Sequence, residues 1–240
     1  MKPLIMICAR KGSKRLPDKA IKPFYGKPLI QWTIEQADHF SKNKYPIVIC
    51  TDIKLPQQVY NLKYGSQVLT IGRSKEVSGD GVPKLATIRY ALRKTEEFTQ
   101  KEYGCVIDLD VTNPARKPND IASAYGIFES GRFDNVFSVT HARKSPYFNQ
   151  VQYHFGAFLS AGRKMDDLCN LNGLPAVFDM NASILILKRQ WLLDERNDHP
   201  VCLGSGMYLM GDWQFVDIDT ELDFKLAEFL FVGNMFKDRE

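Results

Sequence analysis

Long apolar runs are scarce in this 240-residue chain, and none approaches the roughly 18 residues of a membrane span. The opening run Leu4–Ala9 meets Arg10 and Lys11 too early to serve as the core of a secretion signal. The five cysteines (Cys8, Cys50, Cys105, Cys169, Cys202) show neither paired nor metal-type spacing. Three of them lie within or at the end of apolar runs, the usual setting of reduced core thiols, so a cytoplasmic protein is expected. None of the four histidines (His39, His141, His154, His199) has a partner at metal-binding spacing. No Gly-x-Ser-x-Gly or Cys/His pattern offers a covalent nucleophile. Repeats, low-complexity tracts and linkers are missing too.

What is present is an ordinary globular composition, 44% hydrophobic and 25% charged. The net charge of +4 is unevenly placed. Between Arg10 and Lys27 stand seven basic residues and one acid, Asp18, which leaves the rest of the chain slightly acidic. A nucleic-acid binder spreads positive charge over a face many phosphates long. Charge gathered in one loop suits a small, highly charged anion instead.

Strand and helix patterns alternate along the chain. Leu4–Ala9, Ile47–Cys50, Gln67–Ile71, Cys105–Leu109, Asn135–Thr140 and Ser183–Leu187 read as strands, with a weaker one at Met207–Met210. Leu29–Phe40, Leu55–Tyr64, Leu85–Phe98, Asn119–Glu129 and Glu221–Val232 read as helices, the first opened by Pro28. This alternation predicts an α/β fold, a mostly parallel Rossmann-like sheet covered on both faces. Residues 1–240 are expected to form one domain, with an excursion at about 141–180 where the alternation fades. Ligands of open α/β sheets bind at the carboxyl ends of strands, so the site is sought in the loops there.

The first loop reads Ala9-Arg10-Lys11-Gly12-Ser13-Lys14-Arg15-Leu16-Pro17-Asp18-Lys19. Gly12 permits close approach of backbone amides to a phosphate, and Arg10, Lys14 and Lys19 can neutralise a triphosphate and its leaving pyrophosphate. The spacing matches neither a P-loop nor a dinucleotide fingerprint. Near the other end, Asp217 and Asp219 stand two apart on an extended segment and share a side, a hard-oxygen pair suited to magnesium. Asp219 or Thr220 can alternatively cap the last helix. Asp108 and Asp110 form a second same-side pair at a strand end.

The loop motif, followed by Gly26-Lys27-Pro28-Leu29-Ile30 and Trp32-Thr33-Ile34, resembles the acylneuraminate cytidylyltransferases, which activate acidic nonulosonic sugars. The resemblance continues through Thr51-Asp52, Thr112-Asn113-Pro114-Ala115-Arg116, Asn181-Ala182-Ser183-Ile184 and Asp217-Ile218-Asp219-Thr220-Glu221-Leu222-Asp223, and is weakest between about 150 and 178. It implies a glycosyltransferase-A-like nucleotide-diphospho-sugar transferase fold, CTP as substrate, Mg2+ as cofactor and a homodimer. Matched by position, Ala9, Arg10, Gly12, Ser13, Lys14 and Lys19 form the triphosphate loop, and Arg73 lies by the cytosine. Asp217 and Asp219 hold the metal, while Asp110, Thr112, Arg116 and Asn181 face the acceptor sugar. Arg10, Lys19 and Asp219 carry catalysis.

Several positions depart from the family pattern. Asp110 stands where many relatives carry glutamine, so it can join the metal from the opposite side or change contacts to the sugar. Ala20 replaces an asparagine. An Arg-Arg-Gln-type run before Asn181 is missing, leaving Arg163 and Lys164 to serve the sugar carboxylate from that side. Pro146-Tyr147-Phe148-Asn149 matches a subgroup, with Tyr147 and Phe148 read as packing residues. The expected reaction is attack by the anomeric hydroxyl of an acidic nine-carbon (or eight-carbon) 2-keto sugar on the α-phosphorus of CTP, on a nonulosonate other than N-acetylneuraminate. The rivals are the same chemistry on Kdo or an 8-amino relative, and a catalytically silent nucleotide-binding module.

Overall fold

The computed structural model describes residues 2–79, 81–154, 157–162 and 175–235. The strands are β1 (Pro3–Ala9), β2 (Pro23–Phe24), β3 (Lys27–Pro28), β4 (Ile47–Thr51), β5 (Val68–Gly72), β6 (Cys105–Leu109), β7 (Asn135–His141), β8 (Val151–His154), β9 (Ala157–Ser160), β10 (Phe178–Lys188) and β11 (Ser205–Leu209). The helices are α1 (Leu29–Ser41), α2 (Lys84–Thr99), α3 (Pro118–Glu129), α4 (Arg189–Leu193) and α5 (Glu221–Met235). Seven strands form the main sheet in the order β11-β7-β10-β6-β1-β4-β5. All neighbours in it run parallel except β10, which is antiparallel to both β6 and β7.

The central strands are largely apolar because helices cover both faces. Along β1 the side chains alternate. Ile5, Ile7 and Ala9 join the core under α1, α3 and α5, where Ile34, Ile121 and Phe224 pack. Leu4 and Met6 point the other way, into a second core built by Leu85, Ile88 and Leu92 of α2 and Leu192 of α4. Proline precedes or opens three helices: Pro28 and Pro83 stand at the N-cap positions of α1 and α2, and Pro118 opens α3.

Three differences from the sequence reading have local causes. The helix expected over Leu55–Tyr64 shrinks to a 3-10 turn at Gln57–Tyr60 after Pro56, which cannot continue a preceding helix. The strand expected at Ser183–Leu187 extends back to Phe178, and its pairing with β7 shifts between Met180 and Leu185. Ala182 lies inside that irregularity with φ of 49°, a left-handed conformation that costs a non-glycine residue about 1 kcal/mol. Finally, β8 and β9 form a two-stranded sheet of their own within the expected excursion.

Directly after the basic loop, Phe24 anchors the N-terminal segment against the last helix. It is fully buried, with Trp32, Phe224 and Phe231 rings near-perpendicular at 6.3, 5.5 and 5.3 Å. Phe24→Ala is expected to cost about 3–5 kcal/mol through the cavity it leaves. A urea titration checks this, and a loss under 1 kcal/mol would show that the cluster does not hold the loop to the core.

Candidate functional site

The carboxyl ends of β1, β5 and β6 open into a cleft of about 520 Å3. Arg10, Ser13, Lys14, Arg15 and Lys19 line one side, and Arg73, Lys84, Asp110, Thr112, Asp217 and Asp219 complete it. The strand ends therefore gather, in one place, loops that are 200 residues and more apart in the chain.

The basic loop is held from below. The Lys11 amide donates to Asp52 at 2.7 Å and the Ser13 amide to the Lys11 carbonyl at 2.9 Å. Asp18 then takes a left-handed conformation (φ 53°) and starts a short 3-10 turn at Lys19–Ile21. That turn sends the largely buried Lys19 side chain across the cleft. Its Nζ donates to the Ile218 carbonyl at 2.6 Å and to Asp219 at 2.9 Å. Arg15 also pairs with Asp219.

Asp217 and Asp219 flank Ile218, whose side chain is fully buried and whose amide donates to the Thr112 carbonyl at 2.9 Å. This clamp fixes the extended segment, and both carboxylates border the cleft. Capping of α5 falls to other residues: Asp223 accepts from the Thr220 amide at 2.8 Å, and the Asp223 amide donates back to Thr220 Oγ1 at 3.3 Å. Asp219 is thereby spared the capping role. Asp217 keeps a buried oxygen, Oδ1, with no hydrogen-bond partner. Its burial, helped by the charges of Asp110 and Asp219, pushes its pKa up to about 6.

Asp108 and Asp110 are not the exposed strand-end carboxylates that their position suggests. Asp108 is 1% exposed, and the Lys84 ammonium at the start of α2 sits 2.8 Å from an oxygen of each. Burial raises the Asp108 pKa although Lys84 opposes it. For Asp110, burial pushes the same way, but the Lys84 charge and hydrogen bond and the Thr112 amide outweigh it and leave the carboxyl below its ordinary value. Lys84 itself is lifted above the ordinary lysine range, since the two carboxylates overcome its own desolvation.

A cytidylyltransferase family model matches residues 4–145. The chain is 35% identical to the post-translational flagellin modification protein B of Campylobacter coli, over 95% of this chain and 94% of that protein. It is 36% identical, with the same coverage, to a CMP-N,N'-diacetyllegionaminic acid synthase of Campylobacter jejuni subsp. jejuni serotype O:2. The chain belongs to the nonulosonic-acid cytidylyltransferase family. Among solved structures, a CMP:2-keto-3-deoxy-manno-octonic acid synthetase complexed with CTP superposes with a TM-score of 0.65 at 16% identity, covering 97% of this chain and 99% of that one. The fold of this cytidylyltransferase is accordingly the nucleotide-diphospho-sugar transferase fold.

Not every residue expected at the site of this cytidylyltransferase reaches the cleft. Gly12, Arg116 and Asn181 do not line it. Arg116 is 2% exposed and lies beneath the floor, where it donates to the Ser183 carbonyl at 2.6 Å and to the Asp110 carbonyl at 3.2 Å. Asn181 is equally buried and accepts from Ser138 Oγ at 2.7 Å while donating to the Gln214 carbonyl. Both tie the β6 and β10 ends together. A Cβ at Gly12 meets open space, so no contact within the protein requires glycine there. Arg73 lines the cleft while donating to the Val77 carbonyl at 2.7 Å and to Thr87 at 3.1 Å. Phe148 is 62% exposed, so it is not a packing residue. Arg143 stacks over Phe215 at 4.6 Å, and Arg163 and Lys164 lie outside the described residues.

Two charged cleft residues, Lys84 and Arg15, carry no assignment from the sequence. The signal for Lys84 was its place at the end of the polar loop 73–84, directly before a helix. For Arg15 it was membership of the basic run.

The Asp217 pKa sets a pH dependence with a definite sign. A carboxyl whose folded value stands above its unfolded value of 3.8 contributes stability that is complete in acid and lost as the pH rises through about 6. Asp217→Asn is therefore expected to stabilise the ligand-free, EDTA-treated protein by about 1–3 kcal/mol near neutral pH, with no gain near pH 4. Denaturant midpoints at the two pH values check this, and equal stabilities near neutral pH would contradict it.

Proposed function

We propose that this chain transfers the cytidylyl group of CTP to the anomeric hydroxyl of an acidic 2-keto sugar of the nonulosonate class, releasing pyrophosphate. The observation that carries this reading is the convergence of Arg10, Lys14 and Lys19 with Asp217 and Asp219 on one cleft. Polyanion neutralisation and hard-oxygen ligation are thereby available across the width of a nucleotide triphosphate.

Arg10, Lys14 and Lys19 bind the β- and γ-phosphates and neutralise charge building on the leaving pyrophosphate. Lys19 is the pivot. Its ammonium sits on Asp219, and triphosphate oxygens compete for it, so nucleotide binding draws Lys19 off the carboxylate. Arg73, directly after β5, lines the cleft and is assigned to the cytosine side. Asp110 and Thr112 border the acceptor side, with Lys84 holding Asp110 ionised.

Asp217 and Asp219 are the residues that fit a magnesium ion. Two neighbouring carboxylates, one with a buried unpartnered oxygen and a raised pKa, are a combination that a hard divalent cation relieves. When bound, such an ion supplies charge neutralisation at the phosphates and lowers the pKa of an attacking hydroxyl. Family membership supports a homodimer, to which the exposed Val151 and Tyr153 of β8 offer apolar surface. None of the described helices is long and apolar enough to cross a membrane, and a cytoplasmic location is proposed.

Lys19→Ala is expected to lower kcat/KM with CTP by about 30- to 1000-fold, the equivalent of ~2–4 kcal/mol of transition-state stabilisation. Excess EDTA should abolish turnover of the unaltered enzyme. Pyrophosphate release measures both. Near-normal rates for the variant would remove the loop from the site, and full activity in EDTA would remove the metal.

The acceptor is testable with a panel of N,N'-diacetyllegionaminate, pseudaminate, N-acetylneuraminate and Kdo. The similarity to a CMP-N,N'-diacetyllegionaminic acid synthase and the missing Arg-Arg-Gln-type run favour the first of these. Fastest turnover is expected there, with N-acetylneuraminate slow. Efficient use of N-acetylneuraminate alone would overturn this choice, and turnover of a neutral sugar phosphate would overturn the acid-sugar reading.

A further inference from the structure

We propose that Cys8 and Cys50 form a dithiol modification site in the wall of the nucleotide cleft, closed to a disulfide by exchange with a small-molecule disulfide and opened by thiols. Three observations place the two sulfurs together. β1 and β4 are parallel neighbours, and Cys8 and Cys50 are direct partners in their register. Adjacent strands lie about 4.8 Å apart, inside the ~4.4–6.8 Å range of Cα separations that a disulfide spans. Both side chains point to the face shared with Leu4, Met6 and Val48.

Access is one-sided. Cys50 is fully buried, whereas Cys8 is half-buried and lines the cleft. The chemistry therefore starts at Cys8. Its thiolate attacks one sulfur of the small disulfide, forming a mixed disulfide and expelling one thiolate. The Cys50 thiolate then attacks the Cys8 sulfur, forming the Cys8–Cys50 bond and expelling the second thiolate. The two cysteines are oxidised, the small disulfide is reduced to two thiols, and the two cysteine protons end on those thiols. The neighbouring Cys50 thiol, burial and the charge of Asp108 hold the Cys8 thiol well above its ordinary value against Lys84, so the first attack quickens as the pH rises. Cys8 and the charge of Arg73 lower the Cys50 thiol for the second. Cys105 is buried, pushed up to about 12 by that burial, and does not line the cleft, so it has no such partner or access.

The consequence falls on the nucleotide. Cys8 is close enough to Asp108 and Lys84 to feel their charges, and Cys50 to feel that of Arg73. Closing the bridge draws the Cys8 sulfur toward β4 and reshapes the wall between Lys84 and Arg73, so CTP binds less well. Bound CTP, in turn, covers Cys8 and slows the reaction.

The test treats the full-length protein with excess oxidised glutathione, with and without CTP. Peptide mass spectrometry then locates the bond, and calorimetry measures CTP affinity. A Cys8–Cys50 linked peptide, a roughly tenfold loss of CTP affinity restored by dithiothreitol, and slower linkage with CTP present are expected. Cys50→Ala should stop at the glutathione adduct on Cys8, and its CTP binding before oxidation reports that it is folded. Absence of the linked peptide overturns the site, and linkage without a change in CTP affinity overturns its placement in the cleft wall. The linkage readout needs no acceptor sugar, so it stands apart from any failure of the proposed transfer reaction.

Discussion

A single ammonium group, that of Lys84, makes the acidic floor of the cleft possible. Burying a carboxylate costs several kcal/mol unless a partner compensates it, and β6 ends in two. Lys84 lies 2.8 Å from both Asp108 and Asp110. It sits at the first position of α2, so the pairing also sets where that helix begins against the sheet. Around this contact the acids divide into kinds: Asp110 stays charged, Asp108 is driven toward its neutral form, and Asp217 is raised with one oxygen unpartnered. Chemistry that needs several carboxylates in distinct protonation states can only be set up through such unequal pairing.

Beneath the floor, a second layer holds the first in register. Arg116 ties the Asp110 carbonyl to that of Ser183, and Asn113 donates to the carbonyls of Asn181 and Gln214. Gln214 reaches on to Asp120, the residue that caps α3 through the Lys117 amide. Motif residues at Thr112–Arg116 and Asn181–Ile184 are thus mostly framework. Apart from Thr112, which lines the cleft, they hold the strand ends that carry it.

Much of the architecture was legible because its strands carry unmistakable patterns. Cys105–Leu109 is apolar but for one aspartate, and its bounds were read directly. β10 was read short because the bulge at Ala182 puts an exposed Met180 beside a buried Asn181, which breaks any two-residue period. The cleft loops were legible from the rule that ligands gather at strand ends. What the chain could not disclose was depth. Arg116 and Lys84 are both basic residues near Asp110, yet one passes under the strand end and the other reaches into the cleft. That distinction depends on the antiparallel placement of β10, which local sequence does not encode.

The Lys19–Asp219 contact also has a consequence in time. The two residues are separated by 200 positions, so during synthesis the basic loop leaves the ribosome long before its acidic counterpart exists. Until then, Phe24 has neither Phe224 nor Phe231 to pack against, and the strand order places β11, among the last strands made, at the sheet edge far from β1. The cleft therefore comes together in the final act of folding. A ribosome stalled before residue 219 carries a sheet core without a site.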